Sequence, residues 1–192
     1  MNLPNKLTIL RLIMIPLFVA VFYLTVIPYN YVISAVIFLL AAFTDFLDGY
    51  IARKYHLVTN LGKFLDPIAD KVLVSTALIV MLLPYPFESA IIPFYGAIAV
   101  AIILARELIV SGFRIVAASN GKVLAADKSG KIKTFTQDVA VVILLVGADL
   151  MPGLYSVINI VGLAFLGLAT LLTIYSGIEC IVKNVDVLKD SK

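Results

Sequence analysis

The sequence predicts an all-α, polytopic membrane protein with six transmembrane helices and a short N-terminal juxtamembrane helix. Its 192 residues are 62% apolar and only 14% charged, and their mean hydropathy is +1.08. Soluble domains are about 45–50% apolar and about 25% charged, so this composition excludes an ordinary cytosolic enzyme and a nucleic-acid-binding protein. The apolar runs are long and continuous, which favours helices over the alternating strands of a β-barrel. Cys180 is the single cysteine, so an internal disulfide is excluded.

Six apolar stretches approach or exceed the length of about 20 residues that crosses the hydrocarbon core of a membrane. They cover residues 12–27, 32–53, 61–83, 91–118, 134–148 and 154–182. Turns with helix-breaking residues separate them at Pro28-Tyr29-Asn30, Pro84-Tyr85-Pro86 and Met151-Pro152-Gly153. We therefore expect one membrane domain over residues 1–192, with a juxtamembrane segment at 1–11, a six-helix core at 12–182 and a cytoplasmic tail at 183–192.

The N-terminal segment is predicted to start a helix along the membrane surface, because Pro4 and Asn5 precede a periodic apolar run. Lys6 and Arg11 also lie ahead of an apolar stretch, as basic residues do in a cleaved signal peptide. No small-residue cleavage site follows them, so we expect the first helix to be retained.

The positive charges predict the orientation of the chain. Six spans place both termini on one side of the membrane, and all 15 lysines and arginines then fall on that side. The three opposite turns carry only Glu88 and Asp149 as charged residues. By the positive-inside rule, both termini and the longer polar connections face the cytoplasm of a multi-pass plasma-membrane protein.

Four aspartates near the ends of the second and third stretches form the most informative pattern. Asp45 and Asp48 are three residues apart and Asp66 and Asp70 are four apart, so each pair lies on one face of its helix. A short connection makes these helices antiparallel neighbours, and the four carboxylates can then converge near the cytoplasmic surface. Carboxylates at membrane depth are costly, which indicates a function.

Converging carboxylates repel one another, and a divalent cation relieves that repulsion. A set of oxygen ligands without His or Cys favours Mg²⁺, Mn²⁺ or Ca²⁺ over zinc, and a two-metal site suits phosphoryl transfer. The alternative is structural: Asp66 followed by Pro67 is a good helix N-cap, and Arg53 can be a snorkelling charge at a helix end. That alternative leaves Asp45, Asp48 and Asp70 unexplained.

Residues 45–70 read Asp-x2-Asp-Gly-x2-Ala-Arg-x8-Gly-x3-Asp-x3-Asp. This pattern resembles the signature of the CDP-alcohol phosphotransferases at all eight specified positions. The resemblance extends to Pro4-Asn5-Lys6-Leu7-Thr8 with Arg11 near the N-terminus. Residues 105–114 and residues 130–134 followed by Gln137 resemble the branch of that family that makes phosphatidylglycerophosphate.

The resemblance implies six helices around a polar cavity open to the cytoplasm, usually in a homodimer formed through the third and fourth helices. It implies two divalent ions, Mg²⁺ or Mn²⁺, bound by Asp45, Asp48, Asp66 and Asp70, with Asp70 also as the general base. The residues that fall where the family holds CDP are Asn5, Thr8, Gly49, Ala52, Arg53 and Gly62. The implied reaction, in phospholipid biosynthesis, transfers a phosphatidyl group from CDP-diacylglycerol to sn-glycerol 3-phosphate and gives phosphatidylglycerophosphate and CMP.

An acceptor that carries a phosphate calls for a cationic pocket. Four basic residues at the cytoplasmic ends of the fourth and fifth stretches are candidates: Arg106, Arg114, Lys131 and Lys133. Ordinary membrane anchoring is the alternative role for these side chains. Two further intramembrane carboxylates, Asp138 and Glu179, are expected to hydrogen-bond to other helices.

Two other functions stay open at this point. One is the same chemistry with inositol phosphate, serine or phosphatidylglycerol as the acceptor. The other is an ion-coupled transporter that uses the aspartates as an ion pathway. Turnover by the purified chain in detergent distinguishes the enzyme from the transporter, because catalysis needs no sealed compartment.

Overall fold

The computed structural model describes residues 2–55, 57, 59–82, 95–122, 124, 128–150 and 155–188. These residues form six long α-helices and a short 3-10 helix, with no β-strand in the described ranges. The helices are α1 (Leu3–Tyr23), α2 (Asn30–Lys54), α3 (Asn60–Val80), α4 (Tyr95–Ser119), α5 (Lys128–Leu150) and α6 (Tyr155–Lys183), and the 3-10 helix is Val185–Leu188. The all-α fold is confirmed, and each predicted apolar stretch corresponds to one helix.

Four of the described helices are long and apolar enough to cross a membrane: Leu3–Tyr23, Asn30–Ala52, Tyr95–Ser119 and Val157–Lys183. The other two, α3 and α5, have 21 and 23 residues and are therefore of similar length. They carry more charged side chains, among them Asp66 and Asp70 in α3 and Lys131 and Lys133 in α5. The four apolar helices indicate a helical membrane protein.

The predicted juxtamembrane helix is wrong as a separate element. A single helix, α1, runs without interruption from Leu3 to Tyr23, across the expected boundary between residues 11 and 12. Pro4 lies in its first turn, where the missing N–H of proline breaks no intrahelical hydrogen bond. Asn5, Thr8 and Arg11 are buried in this part of α1, so they pack inside the bundle and do not lie along its surface.

The core lies where α1 packs along α2 and α5 packs along α6. Phe18 of α1 and Phe38 of α2 are fully buried, and their ring centroids are 6.3 Å apart. Small residues let α6 approach its neighbours closely. A Cβ atom on Gly162 would lie 2.6 Å from the side chain of Leu144 in α5, and one on Gly177 would lie 2.9 Å from Cγ of Arg106 in α4.

The N-terminus of α2 is held by hydrogen bonds to α5 and α1. Oδ2 of Asp149, near the end of α5, accepts a hydrogen bond from the backbone N–H of Val32 at 2.9 Å. A carboxylate there satisfies an N–H that has no partner within the helix and complements the positive end of the helix dipole. Asn30 donates through Nδ2 to the carbonyl of Phe22 at 2.6 Å. These contacts fix the turn between α1 and α2.

Candidate active site

Arg11 is fully buried and joins α1 to the first aspartate pair on α2. Its guanidinium donates to Oδ1 of Asp45 at 2.7 Å and to Oδ2 of Asp48 at 2.6 Å. A further hydrogen bond runs from Nε to the carbonyl of Ala41 at 3.3 Å. Asp45 and Asp48 therefore share one face of α2, as their spacing predicted. The planar guanidinium engages both carboxylates at once, which a lysine ammonium would do less well.

Thr8, one helical turn before Arg11, connects α2 to α3. Its Oγ1 lies 2.8 Å from Oδ1 of Asp66 and 3.3 Å from Oδ2 of Asp48. A hydroxyl has one proton to donate, and the shorter distance favours Asp66 as its acceptor. One face of α1 thus brings carboxylates from both predicted pairs together. We call Asp45, Asp48, Asp66, Arg11 and Thr8 the carboxylate cluster.

The start of α3 leaves little room for a side chain at position 62. Thr59 is the N-cap of α3, and its Oγ1 accepts from the N–H of Gly62 at 3.0 Å and donates to Oδ1 of Asn5 at 2.8 Å. A Cβ atom on Gly62 would lie 3.1 Å from Oδ1 of Asn5 and 3.6 Å from Oδ2 of Asp66. The backbone of α3 therefore approaches α1 closely beside the carboxylate cluster.

The alternative structural role for Asp66, as the N-cap of a late-starting third helix, is wrong. Because Thr59 caps a helix that begins at Asn60, Asp66 and Pro67 both lie inside α3. Asp66 uses its carboxylate for a contact with α1 and not for its own helix terminus.

Asp70, one turn beyond Asp66, lines a cavity between α3, α4 and α5. The cavity is lined by Asp70, Lys71, Val74, Ser75, Ile103, Glu107, Lys133, Thr134 and Gln137. Lys133 is ion-paired with Glu107, and Lys71 donates through Nζ to Ser111. We call this space the Asp70 cavity. It brings two carboxylates, Asp70 and Glu107, and two ammonium groups, Lys71 and Lys133, around one volume.

A family model described as CDP-alcohol phosphatidyltransferase matches residues 1–175 of this chain. The chain belongs to the CDP-alcohol phosphatidyltransferase family.

Curated relatives match over almost the whole chain. A Bacillus subtilis protein is 41% identical over 201 aligned residues, which cover 99% of this chain and 98% of that protein. A Rickettsia bellii protein is 42% identical over 92% of this chain and 91% of its own length, and one from Salmonella typhimurium is 38% identical over 93% and 92%. All three are named CDP-diacylglycerol--glycerol-3-phosphate 3-phosphatidyltransferase.

In this CDP-alcohol phosphatidyltransferase the four candidate cations do not form one pocket. Lys133 lines the Asp70 cavity, whereas Arg114 and Lys131 are exposed on α4 and α5. Arg106 points to α6, where it donates to Oγ of Ser176 at 2.8 Å, and it also contacts Glu107 at 3.3 Å. The structure thus separates Arg114 and Lys131 from Lys133, whereas Arg106 and Lys133 both contact Oε1 of Glu107.

Sequence reasoning missed Lys71 and Ser75, which also line the cavity. Lys71 directly follows Asp70, so its position beside the last signature residue was an available signal. Ser75 lies one turn beyond Lys71 on the same face of α3, and nothing in its local sequence marks it.

The remaining signature residues lie on α2 near the carboxylate cluster. Gly49 and Ala52 are half-buried and follow Asp48 by one and four positions. The backbone of Arg53 belongs to the last turn of α2, and its side chain lies outside the described part of the chain.

Among the described residues, no group of three or more His, Cys, Asp and Glu side chains is arranged to hold a metal ion. Arg11 engages one oxygen of Asp45 and one of Asp48, and Thr8 lies between Asp48 and Asp66. The donor chemistry nevertheless fits a hard divalent cation, because the ligands offered are carboxylate oxygens on two neighbouring helices. The family is generally dependent on divalent metals.

The two carboxylates outside the signature differ in their partners. Glu179 of α6 accepts a hydrogen bond from Ser129 of α5 at 2.7 Å, so its predicted contact with another helix is confirmed. Asp138 of α5 differs from the prediction, since its buried Oδ1 has no hydrogen-bond partner within the described ranges.

Proposed function

We propose that this chain transfers a phosphatidyl group from CDP-diacylglycerol to sn-glycerol 3-phosphate, giving phosphatidylglycerophosphate and CMP. The observation that carries the proposal is the match, at about 40% identity and over nearly the full length, to relatives named for that reaction. The Asp70 cavity supports it, because Lys71 and Lys133 suit an acceptor that carries a phosphate. No comparable observation supports the alternative function of an ion-coupled transporter.

The acceptor binds with its phosphate near Lys133 and its primary hydroxyl at Asp70. Asp70 accepts the proton of that hydroxyl, which makes its oxygen a better nucleophile. This oxygen forms a bond to the phosphorus that carries the diacylglycerol. The bond from that phosphorus to the CMP oxygen breaks, and CMP leaves with the electron pair.

The nucleotide end of the donor lies at the carboxylate cluster in this proposal. Two Mg²⁺ or Mn²⁺ ions, when bound by Asp45, Asp48, Asp66 and Asp70, supply charge neutralisation for the diphosphate. Arg11 and Thr8 hold the carboxylates of α2 close to the carboxylate of Asp66 in α3. The residues assigned to CDP are Asn5, Thr8, Gly49, Ala52, Arg53 and Gly62. A Cβ atom on Gly62 would lie 3.1 Å from Oδ1 of Asn5, so these two residues are close neighbours. Arg106, Arg114 and Lys131 lie outside the cavity and serve the acceptor phosphate only as a surrounding positive field.

All six long helices span the plasma membrane in this proposal, and both termini and the active site face the cytoplasm. The charged residues of α3 and α5 then lie in the interior of the bundle, where membrane proteins place such groups. We further propose a homodimer embedded among membrane lipids, on the basis of the family resemblance.

The test of the function is a CMP-release assay with the purified chain in detergent. We expect CMP release from CDP-diacylglycerol to depend on added glycerol 3-phosphate and on Mg²⁺ or Mn²⁺, with phosphatidylglycerophosphate identified by mass spectrometry. Serine, inositol phosphate and phosphatidylglycerol serve as competing acceptors in parallel reactions. CMP release with one of these and not with glycerol 3-phosphate would reassign the acceptor, and no release with any of them would refute the activity.

Cysteine labelling in intact cells tests the orientation. In a Cys180→Ala background, Val26→Cys should react with an impermeant maleimide from outside, because Val26 is 90% exposed in the turn between α1 and α2. Ser119→Cys, at the exposed end of α4, should react only after the cells are opened. The reverse pattern would place the carboxylate cluster on the outer side and contradict the orientation.

A further inference from the structure

The side chain of Gln137 has an unused hydrogen-bonding group inside the Asp70 cavity. Gln137 lies on α5, four residues after Lys133, and is 3% exposed. Its Oε1 is buried and has no hydrogen-bond partner among the described residues. Buried side-chain oxygens without a partner are uncommon and unfavourable, so this one indicates a group that a bound molecule satisfies.

The chemistry of an amide limits what that molecule offers at this position. An amide oxygen accepts a hydrogen bond, so it repels a phosphate or carboxylate oxygen and binds an O–H or N–H group. The amide NH₂ of the same side chain can in turn donate to a hydroxyl oxygen. A neutral hydroxyl, which both donates and accepts, is therefore the group that matches Gln137 best.

The other groups of the cavity leave one hydroxyl of the acceptor without a partner. Lys133 and Lys71 carry positive charge that suits the phosphate, and Asp70 receives the reacting primary hydroxyl. The second carboxylate of the cavity, Glu107, is already engaged by Lys133 and Arg106. Glycerol 3-phosphate has a second, middle hydroxyl between these two ends. Gln137 lines the same cavity as Asp70 and Lys133. A three-carbon acceptor is short, so its middle hydroxyl would lie within this cavity when its two ends contact Asp70 and Lys133.

We propose that Gln137 binds the middle hydroxyl of glycerol 3-phosphate and makes the enzyme select a hydroxylated acceptor. This inference rests on the proposed function, and it adds a specificity-determining residue that contacts the substrate. It predicts that the wild-type enzyme prefers glycerol 3-phosphate over an acceptor that lacks the middle hydroxyl. This preference should disappear when the amide of residue 137 is removed.

The experiment compares glycerol 3-phosphate with 3-hydroxypropyl phosphate, which keeps the phosphate and a primary hydroxyl and lacks the middle one. We expect the wild-type chain to prefer glycerol 3-phosphate by roughly tenfold to a hundredfold in kcat/KM, because the loss of a buried hydrogen bond lowers kcat/KM by about that factor. In Gln137→Met, which has a similar volume and no amide, the two acceptors should differ by less than about threefold.

Three further variants make the comparison specific. Thr136→Val changes a neighbouring buried residue whose hydroxyl is satisfied by the carbonyl of Ile132, so it should keep the wild-type preference. Lys133→Met should weaken both acceptors equally, because both carry the phosphate. Gln137→Asn keeps an amide on a shorter side chain, so its preference for glycerol 3-phosphate should lie between those of the wild type and Gln137→Met. This variant provides the test if Gln137→Met cannot be purified.

The outcomes separate this inference from the function on which it rests. A wild-type preference that persists in Gln137→Met, or a wild-type chain that uses both acceptors equally, would overturn the role of Gln137 alone. No turnover of glycerol 3-phosphate by the wild-type chain would overturn the proposed function and the inference with it.

Discussion

Arg11→Met is expected to destabilise the folded chain by about 3–5 kcal/mol, because it removes one partner of a buried ion pair and leaves the other charged. Arg11 is fully buried and contacts Asp45 and Asp48 at 2.7 and 2.6 Å. Without the guanidinium these two carboxylates repel each other and Asp66 across the contact between α2 and α3. The measurement is thermal and denaturant unfolding of the purified chain in detergent without added divalent ions.

The control for Arg11→Met is Lys6→Met, an exposed basic residue of the same helix, which should change stability little. A second substitution tests the cause. In the Arg11→Met background, Asp48→Asn should restore more stability than Asp45→Asn, because Asp48 is almost fully buried while the Asp45 side chain is 43% exposed and can be hydrated. Equal rescue by both, or no loss of stability in Arg11→Met, would show that Arg11 does not neutralise the cluster.

Divalent ions offer a further readout for the same variant. Because metal ions that bind only the folded chain stabilise it, Mg²⁺ or Mn²⁺ should raise the Tm of Arg11→Met more than that of the wild type. Carboxylates freed from the guanidinium have more charge to neutralise. An identical rise in both proteins would indicate that metal ions bind elsewhere.

The aspartate pairs illustrate what spacing can predict. The three- and four-residue intervals correctly placed Asp45 with Asp48 and indicated which faces of α2 and α3 meet. Spacing did not reveal that Arg11 and Thr8 of α1 would lie between those faces, because helix phase across separate segments depends on tertiary packing. In the sequence, Arg11 resembles the basic residues that precede an apolar stretch in a signal peptide, and its complete burial appears only in the structure.

The four predicted acceptor residues show what residue spacing says about a shared cavity. Lys131 and Lys133 are two residues apart, which is about 200° around a helix, so they could not both face one cavity. That argument was available from the sequence, and the structure agrees, with Lys133 buried and Lys131 exposed. The contribution of Lys71 depends on which side of α3 meets α4 and α5, and no pattern within α3 alone specifies it.

Asp70→Asn is expected to lower kcat roughly 10²- to 10⁴-fold, the usual contribution of a general base, while the chain remains folded. Asparagine has nearly the same shape as aspartate and still fits the space between α3, α4 and α5, but it cannot take a proton from the acceptor hydroxyl. The measurement is the rate of CMP release at saturating CDP-diacylglycerol and glycerol 3-phosphate, together with thermal unfolding of the same preparation.

The control is Asp149→Asn, which makes the same chemical change in α5, outside the cavity. Its side chain should still accept the hydrogen bond from the N–H of Val32, so this variant should keep the wild-type rate. If Asp70→Asn kept more than about a tenth of the wild-type rate, proton removal by Asp70 would be refuted, since even a modest general base contributes about a hundredfold. If CMP release fell while the variant also unfolded at a much lower temperature, Asp70 would instead serve mainly to hold α3 against α5.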